Sequence, residues 1–361
     1  MRVLFVVPHP IEGPSSRFRV YQYIPYLEAH GVECTVSPFV SSRNVQELYK
    51  DGNTLRKIGL TLGGLVRRGF DAIRARQYDI VFVLREAFAL GPPFVEWSLT
   101  RAGKHMIYDF DDAIYMPALS YKNVIDHLRD FDKPAKVINM ADTVITGSQY
   151  LANYAKNTTS GTVEVLPTVV DHSVYCPRNG NADTKEVTLG WIGTPRGSGY
   201  VADMMPVFQK LSARHPNLKM VFIGCAPFDT AGLPITFRDW ALEREPSDIA
   251  EFDIGIMPLT DDEETRGKCG FKLIQYMSSG VAAIGSPVGA NNDIIEDGVS
   301  GLLADHPSEW EAGLERLITD MPFRRKLSAA GRKRAIEHYS LQRTAPEMLR
   351  IFQDTINRQN R

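Results

Sequence analysis

The most restrictive feature of this chain is a repeated alternation of short strand-like runs with longer segments of helical character. Strands are predicted at 2–8, 33–39, 79–84, 105–110 and 142–147. Strands that alternate with helices, several of them continuously apolar, are typical of a parallel sheet covered on both faces. The pattern restarts at Glu186, with strands predicted at 186–193, 219–224, 253–258 and 281–285. The sequence therefore predicts an α/β protein with two doubly wound parallel-sheet domains.

Length and composition agree with two domains and exclude some partners. A chain of 361 residues suits two domains of ordinary size. The stretch 167–184 carries proline, asparagine, glycine and aspartate with little periodicity, which indicates a linker. We expect domains at 1–170 and 171–340, followed by a helix over 341–361. The net charge of −2 argues against a globally basic protein that binds nucleic acid.

The cysteines and apolar runs indicate a protein of the reducing cytosol. Cys34, Cys176, Cys225 and Cys269 lie far apart and form no CxxC pair, so we expect neither a zinc site nor a disulfide framework. The first apolar run is too short for a signal peptide. No run approaches the roughly 18 apolar residues of a membrane-spanning helix. We therefore expect a cytoplasmic location and leave contact with a membrane surface open.

In parallel sheets, ligands bind beyond the carboxyl ends of the strands, so two such sheets predict a site in the cleft between them. The segment GKCGFKLIQYMSSG, 267–280, follows such a strand and begins a helix with costly glycines. We expect its helix start to hold a diphosphate, with one polar and one buried face. The polar face would carry Lys268, Lys272 and Gln275, and the buried face Phe271, Ile274 and Met277. The alternative, that the lysines face solvent and Gly270 merely fits a turn, is equally compatible with the spacing.

A second loop supports an anion site. Gly193 ends a predicted strand and Thr194 follows it, Arg196 supplies a cation, and Ser198 is expected to cap the next helix. Taken alone, this loop is more simply interpreted as a connecting turn. Two such loops in one domain make a nucleotide diphosphate more plausible than either does singly.

The first domain carries its own polar groups at predicted strand ends. Arg85 and Glu86 follow one strand, and Asp109, Asp111 and Asp112 come at the end of the next. Clustered carboxylates can act as a base, as acceptor ligands or as metal ligands, and we expect Arg85 to compensate their repulsion. We do not expect Asp109 and Asp111 to hold a metal, since a D-x-D pattern is common by chance. The alternative is a helix cap with a solvated loop.

Three further segments allow two interpretations each. Ser15 or Ser16 is expected to cap the first helix, whose Arg17 and Arg19 either meet an anionic ligand or reach into water. His9 can enter the site or be structural. The segment 54–76 is basic and amphipathic, so it can lie on an anionic membrane, although a helix pair that covers the sheet is the simpler interpretation. The acidic run 261–264 is expected to be a solvated rim.

At this point the sequence resembles a known enzyme family. DIGIMPL and the long block GFKLIQYMSSGVAAIGSPVGANNDIIEDGVSGLL (270–303) resemble the retaining nucleotide-sugar glycosyltransferases of family four. GWIGTP, VITGSQYL and VLPTVVD fit as well, and SSRFRVYQYIPYLEAHGVE with YDFDDAIY resembles a bacterial branch of that group. The resemblance implies the GT-B fold, in which two Rossmann-like domains face each other across a cleft. It further implies a donor in the second domain, an acceptor in the first, and no required metal or cofactor.

The resemblance also assigns candidate roles. Arg196, Lys268 and Lys272 would neutralise the leaving diphosphate, and Glu86 or Asp111 would orient or deprotonate the acceptor hydroxyl. The candidate donor-binding residues are Gly193, Thr194, Arg196, Gly270, Phe271, Lys272 and Gln275. The candidate acceptor-side residues are Ser16, Arg17, Arg85, Glu86, Asp109 and Asp112. The acceptor would be a saccharide or a lipid-linked saccharide, and synthesis of a cell-surface polysaccharide or glycolipid would place the protein on the inner face of the plasma membrane.

Departures from the family leave alternatives open. The family usually carries two glutamates eight positions apart, where this chain has Gly267 and Gln275. Arg85 takes the place of a histidine that often faces the sugar in the first domain. A nucleotide-sugar epimerase and a non-catalytic nucleotide-binding relative are therefore the alternatives to a transferase.

Overall fold

A computed structural model describes residues 1–49, 54–117, 127–178 and 186–358. The chain divides into two compact units, the first formed by Met1–Thr168 with Thr344–Arg361 and the second by Val169–Arg343. Part of the predicted linker, 179–184, lies outside the described residues. Within the described ranges, no helix combines the length and the apolar character needed to cross a lipid bilayer.

The first unit is built on six parallel strands in the spatial order β2-β1-β3-β4-β5-β6. These strands are β1 (Arg2–Val7), β2 (Glu33–Pro38), β3 (Ile80–Leu84), β4 (His105–Phe110), β5 (Thr143–Thr146) and β6 (Thr162–Val165). The central strands β1 and β3 are buried almost throughout, because helices cover both faces of the sheet. Val3 of β1 lies opposite Cys34 of β2 on one side and Ile80 of β3 on the other.

The α-helices of the first unit connect and cover these strands. They are α1 (Pro14–Arg19), α2 (Ile24–Ala29), α3 (Ser42–Tyr49), α4 (Thr54–Arg74), α5 (Phe94–Ala102), α6 (Lys133–Ile138), α7 (Gln149–Thr158) and α16 (Leu341–Arg358). Helix α16 lies mainly in the first unit, where Phe352 packs between Phe5 and Phe82. The aromatic contacts therefore tie the end of the described chain to the first strand.

The second unit repeats the architecture with the strand order β12-β11-β10-β7-β8-β9. Its strands are β7 (Val187–Ile192), β8 (Leu218–Ile223), β9 (Ile235–Arg238), β10 (Ile254–Met257), β11 (Ala282–Gly285) and β12 (Leu302–Leu303). Its helices are α8 (Ser198–Ala202), α9 (Met205–Arg214), α10 (Glu245–Ala250), α11 (Glu263–Arg266), α12 (Phe271–Ser278), α13 (Asn291–Ile294), α14 (Pro307–Thr319) and α15 (Met321–His338). Its core includes Trp191, Phe208, Phe222, Ile254 and Leu314.

Each sheet contains a point at which the direction of the strand order reverses. In the first unit the chain passes from β1 to β2 on one side and returns to β3 on the other. In the second unit the same reversal separates β7 from β10. Since ligands of open α/β sheets bind at the carboxyl ends of the strands beside such a reversal, the loops after β1 and β3 and the loops after β7 and β10 are the places for a site.

The predicted α/β class and the two doubly wound sheets are confirmed, and three strands are additional. Strands β6, β9 and β12 were not predicted, because they are short and none of their residues is fully buried. The single helix predicted over 199–216 is divided into α8 and α9.

Candidate functional site

Trp191 joins the two loops beside the strand reversal of the second unit. Its indole is only 2 % exposed and lies at the end of β7. Gly193, two residues after Trp191, lies so close to the indole ring that a Cβ at this position would be 2.3 Å from it. The Lys272 ammonium, in the first turn of α12, lies 5.4 Å from the centre of the same ring. The ring thus holds a glycine-rich loop and a helix start against one another, with a cation over the aromatic face.

The backbone conformation and packing of Gly270 explain why a glycine stands at the start of α12. Its φ of +62° places it in the left-handed region, which side chains with a Cβ rarely adopt. A Cβ at this position would also lie 2.2 Å from Ile294 Cδ1. Backbone conformation and packing therefore require glycine here, whether or not an anion binds.

Glu264 draws two of the three predicted cations together. The Arg196 guanidinium donates to its carboxylate at 3.0 Å, and the Lys268 ammonium lies 3.7 Å from the same oxygen. The Glu264 side chain is 7 % exposed, whereas half of the Arg196 side chain is accessible. The expectation of a solvated rim over 261–264 is wrong for Glu264, because these cations allow its carboxylate to be buried.

Among the four charged side chains of this cluster, positive charge is in excess. Arg196, Lys268 and Lys272 carry three positive charges, and Glu264 offsets one of them. Thr194 is exposed beside them, and Phe271 is half-buried at the start of α12. An arrangement of this sign, at a glycine-rich loop and a helix N-terminus, suits an anion with more than one negative charge.

Gln275 does not lie on a polar face with Lys268 and Lys272, as the spacing predicted. Helix α12 begins at Phe271, so Lys268 precedes the helix, and Gln275 is buried within it. Its amide nitrogen donates to Glu245 Oε1 at 2.9 Å. The Tyr175 hydroxyl and the Trp240 indole nitrogen donate to the same carboxylate. Glu245 and these two aromatic residues are neighbours of the site that the sequence did not reveal.

Ser198 does not cap the helix that it begins. The residue before α8 is Gly197, and no side chain caps this helix. Ser198 Oγ instead accepts a hydrogen bond from the backbone N–H of Ala226 at 2.7 Å. The serine therefore fixes the loop after β8 beside the loop after β7.

Arg85 and two aspartates form the polar cluster of the first unit. Arg85 follows β3 with φ of +57°, and its backbone N–H donates to the Asp109 carbonyl at 2.7 Å. Its guanidinium contacts Asp111 at 2.6 Å and Asp112 at 3.5 Å, as the expected charge compensation requires. Burial would raise the pKa of the Asp111 carboxyl, but contact with Arg85 holds that pKa below its usual value. Asp111 is therefore an ionised hydrogen-bond acceptor and a weak base.

Asp109 is unavailable to a ligand. Its carboxylate is fully buried and receives two hydrogen bonds from Arg19, at 2.9 and 2.5 Å. Burial alone would lower the pKa of the Arg19 guanidinium, but contact with Asp109 raises it. Arg17 is also buried, with its guanidinium 4.4 Å from the Phe18 ring centre. The alternative that these arginines reach into water is therefore wrong, and Arg19 with Asp109 fastens α1 to β4.

Ser16 of α1 lies close to His9, which follows the end of β1. Ser16 is fully buried, and its hydroxyl accepts from the backbone N–H of His9 at 3.3 Å. Helix α1 begins after Gly13 without a side-chain cap, so the expectation that Ser15 or Ser16 caps it is wrong. Burial and, to a lesser degree, the charge of Arg85 lower the pKa of His9 to about 4. His9 is therefore neutral near pH 7.

Glu86 contacts cations other than Arg85. Its carboxylate accepts from Arg129 at 2.9 Å and lies 4.0 Å from the buried Lys133 ammonium. Burial raises the pKa of the Glu86 carboxyl, although Arg129 and Lys133 oppose the shift. Of the two predicted bases, Glu86 and Asp111, only Glu86 has a pKa shifted in the direction that favours proton transfer near neutral pH.

Comparison with known proteins agrees with this architecture. Residues 187–320 match the model of the family Glycosyl transferases group 1. A D-inositol 3-phosphate glycosyltransferase from Stackebrandtia nassauensis is 24 % identical over 54 % of this chain and 49 % of its own length. The match thus spans about half of that curated relative.

Two solved structures cover nearly the whole chain. Sucrose-phosphate synthase from Thermosynechococcus elongatus has a TM-score of 0.71 at 15 % identity and covers 98 % of both chains. Anabaena Alr3699/HepE in complex with UDP and glucose has a TM-score of 0.68 at 14 % identity, covering 98 % of this chain and 99 % of its own. By these findings the chain has the GT-B fold, and residues 187–320 of its second unit are similar to the Glycosyl transferases group 1 family.

Proposed function

We propose that this protein transfers a sugar from a nucleotide diphosphate sugar to a hydroxyl acceptor. The observation that carries the proposal is the cationic cluster of Arg196, Lys268 and Lys272 beside Trp191, within the unit that matches the family model. The transfer would be of a hexose with retention of configuration, and it would need neither a metal nor a further cofactor. The UDP and glucose bound by Anabaena HepE make a nucleotide-sugar donor a natural choice.

In this proposal the cluster neutralises the diphosphate as it leaves. Stabilisation of charge that develops in the transition state is usually a large catalytic contribution. Thr194 and the backbone at Gly193, Gly270 and Phe271 belong to the same two loops as these cations. Gln275 would act indirectly, because its amide nitrogen already donates to Glu245.

The acceptor would meet the first unit. Arg85 and Asp112 are partly accessible and can donate to and accept from hydroxyl groups. Glu86 would orient the acceptor hydroxyl or accept its proton. Ser16, Arg17 and Asp109 would support the acceptor site from within, since all three are buried. A lipid-linked acceptor for cell-surface polysaccharide or glycolipid synthesis would place the protein at the inner face of the plasma membrane.

A thermal-shift panel of UDP-, GDP-, ADP- and dTDP-sugars tests the donor half of the proposal. A donor present at a hundred times its dissociation constant should stabilise the protein by about 2.7 kcal/mol. The donor that stabilises best is then incubated alone and with a panel of saccharide acceptors, and the products are separated by chromatography. Release of nucleoside diphosphate that requires acceptor supports the transferase. An epimer formed from donor alone, or binding without any turnover, would contradict it.

A further inference from the structure

Helix α4 (Thr54–Arg74) reverses the usual arrangement of a surface helix, in which apolar side chains face the protein and polar side chains face solvent. Its buried residues are Gly64, Arg68 and Asp71, so the side facing the protein carries an ion pair. The Arg68 guanidinium contacts Asp71 at 2.9 Å and donates to the carbonyls of Val7 at 2.8 Å and Ser37 at 2.9 Å. The buried pair of Arg68 and Asp71 therefore holds this helix to the strands.

The outward side of α4 carries the large apolar side chains. Between 51 and 86 % of each is exposed, and they recur every three or four residues: Leu55, Ile58, Leu62, Val66, Phe70 and Ile73. This spacing places them in one stripe along the helix, which we call the α4 stripe. Among the described residues they make up six of the thirteen large exposed hydrophobic side chains. Scattered exposed apolar residues need no explanation, but a continuous stripe of this kind marks an interaction surface.

The charges beside the α4 stripe identify the kind of partner. Arg56, Arg67 and Arg76 are exposed on or just after the helix. The one acid of the helix, Asp71, is fully buried. A shallow pocket next to the stripe is lined by Phe70 and by Asp71 between the cations Arg67 and Arg74. The surface thus combines exposed apolar side chains with exposed cations. Helix α4 contributes no exposed carboxylate to it.

The neighbouring helix also exposes large apolar side chains. Helix α5 packs against α4 and exposes Phe94 and Trp97, each about half accessible. The Arg101 guanidinium lies 4.7 Å from the centre of the Trp97 ring. Tryptophan and arginine in contact suit the boundary between lipid headgroups and acyl chains, where an apolar ring and a charged group are both stabilised.

We propose that the α4 stripe docks this protein on a leaflet that contains anionic phospholipid. An apolar stripe of this size inserts to the depth of the headgroup boundary, while the flanking arginines bind lipid phosphates. A second copy of the chain fits less well, because a symmetric pairing of two such stripes would bring like charges together. The inference deepens the proposed function by identifying the surface that would meet a lipid-linked acceptor, yet it requires no turnover.

Co-sedimentation of the full chain with vesicles tests the proposal without any sugar donor. Phosphatidylcholine vesicles are compared with vesicles that contain one-third phosphatidylglycerol, at low and at high salt. We expect binding to the anionic vesicles that weakens as salt rises, since each flanking cation adds about fivefold in affinity. Absence of binding by the unaltered protein to anionic vesicles would overturn the proposal.

A double variant, Leu62→Gln with Val66→Gln, assigns the binding to the stripe. Both side chains are exposed, so folding should persist, as circular dichroism and the melting temperature will report. We expect vesicle affinity to fall by about tenfold or more. The matched control replaces Val174 and Val299, which are exposed to a similar extent on the second unit, by glutamine and should bind as the unaltered protein does.

Three results would contradict the assignment. Equal loss in variant and control would indicate a non-specific effect, and unchanged binding of the Leu62/Val66 variant would place the contact elsewhere. A concentration-dependent dimer that the same variant abolishes, without vesicle binding, would assign the stripe to a second copy. Because nucleotide binding is measured separately, failure here leaves the transferase proposal intact.

Discussion

The side-chain amide of Gln275 donates to the buried carboxylate of Glu245 at 2.9 Å. Glu245 accepts hydrogen bonds from the side chains of Gln275, Tyr175 and Trp240. The negative charge at this part of the second unit therefore resides on Glu245, while position 275 is neutral. This arrangement gives a physical reason why position 275 carries an amide rather than a second carboxylate.

We predict that Gln275→Glu destabilises the protein by about 3 kcal/mol, because a second carboxylate would lie unpaired against the first in a buried site. Urea denaturation measures the loss. Adding Glu245→Gln to the variant should restore at least half of it, since one carboxylate and one amide are then present again.

Gln342→Glu is a suitable control for this pair. Gln342 donates to Asp171 at 2.7 Å in an exposed position, so the same substitution creates the same like-charge contact in water. Its effect should stay within about 0.5 kcal/mol. Equal losses at positions 275 and 342, or no recovery in the double variant, would show that burial beside Glu245 is not the cause.

Glu264→Gln should tighten the binding of a nucleoside diphosphate. The substitution removes the negative charge that Arg196 and Lys268 share, and a charge near a partly exposed site is worth about 1 kcal/mol, or about fivefold in affinity. Isothermal titration calorimetry measures the change, with Glu311→Gln as the control, because Glu311 likewise contacts two cations but on another surface. Weaker binding by the Glu264 variant would mean that the carboxylate positions the cations rather than competing with the ligand.

Stability should fall as the pH drops from about 6.5 towards 4, in part because of His9. The folded state lowers the pKa of His9 from 6.5 to about 4, so in this window the unfolded chain binds a proton that the folded chain does not. The stabilisation is therefore present above pH 6.5 and is lost progressively below it, up to about 3 kcal/mol.

His9→Gln removes this contribution. Denaturation curves at pH 7 and pH 4.5 should show a smaller difference for the variant than for the unaltered protein. His306→Gln, at an exposed position, provides the comparison and should preserve the original pH dependence. An unchanged pH dependence in the His9 variant would exclude His9 as its source.

Gly270→Ala should destabilise the second unit by about 2–4 kcal/mol. The left-handed backbone disfavours a Cβ by about 1–2 kcal/mol, and the close approach of Ile294 adds to this. Gly199→Ala, in a helix where no atom would lie within 4 Å of the new Cβ, should change stability by no more than about 1 kcal/mol. Similar melting temperatures for the two variants would contradict a structural requirement at Gly270.

The sequence predicted the central strands because a strand that is buried on both faces is a continuous run of apolar residues. β1 and β3 are continuous apolar runs, whereas β6 has no buried residue and resembles a loop. Helix starts were less predictable. Serine near the start of α1 and α8 suggested caps, but tertiary contacts use both hydroxyls elsewhere, with His9 and Ala226.

In the candidate sites, too, local patterns identified some residues, and contacts between distant residues were not predictable. The cations Arg196 and Lys268 were recognisable from their positions in loops after strands, but their partner Glu264 lies in an acidic run that reads as solvated. Its burial depends on Arg196, which is 68 positions away in the chain. Likewise, only the folded chain brings Arg19 to Asp109 and Gln275 to Glu245, so their roles could not be read from local patterns.

The central claim is that the cluster beside Trp191 binds a diphosphate, and Lys272→Ala tests it most directly. Calorimetry compares the nucleoside diphosphate and the nucleoside monophosphate of the best-binding base, with Lys219→Ala as a control for an exposed lysine of the same unit. We predict that Lys272→Ala weakens diphosphate binding by about tenfold or more and leaves monophosphate binding nearly unchanged. Equal effects on both nucleotides, or unaltered diphosphate affinity in the Lys272 variant, would contradict the account.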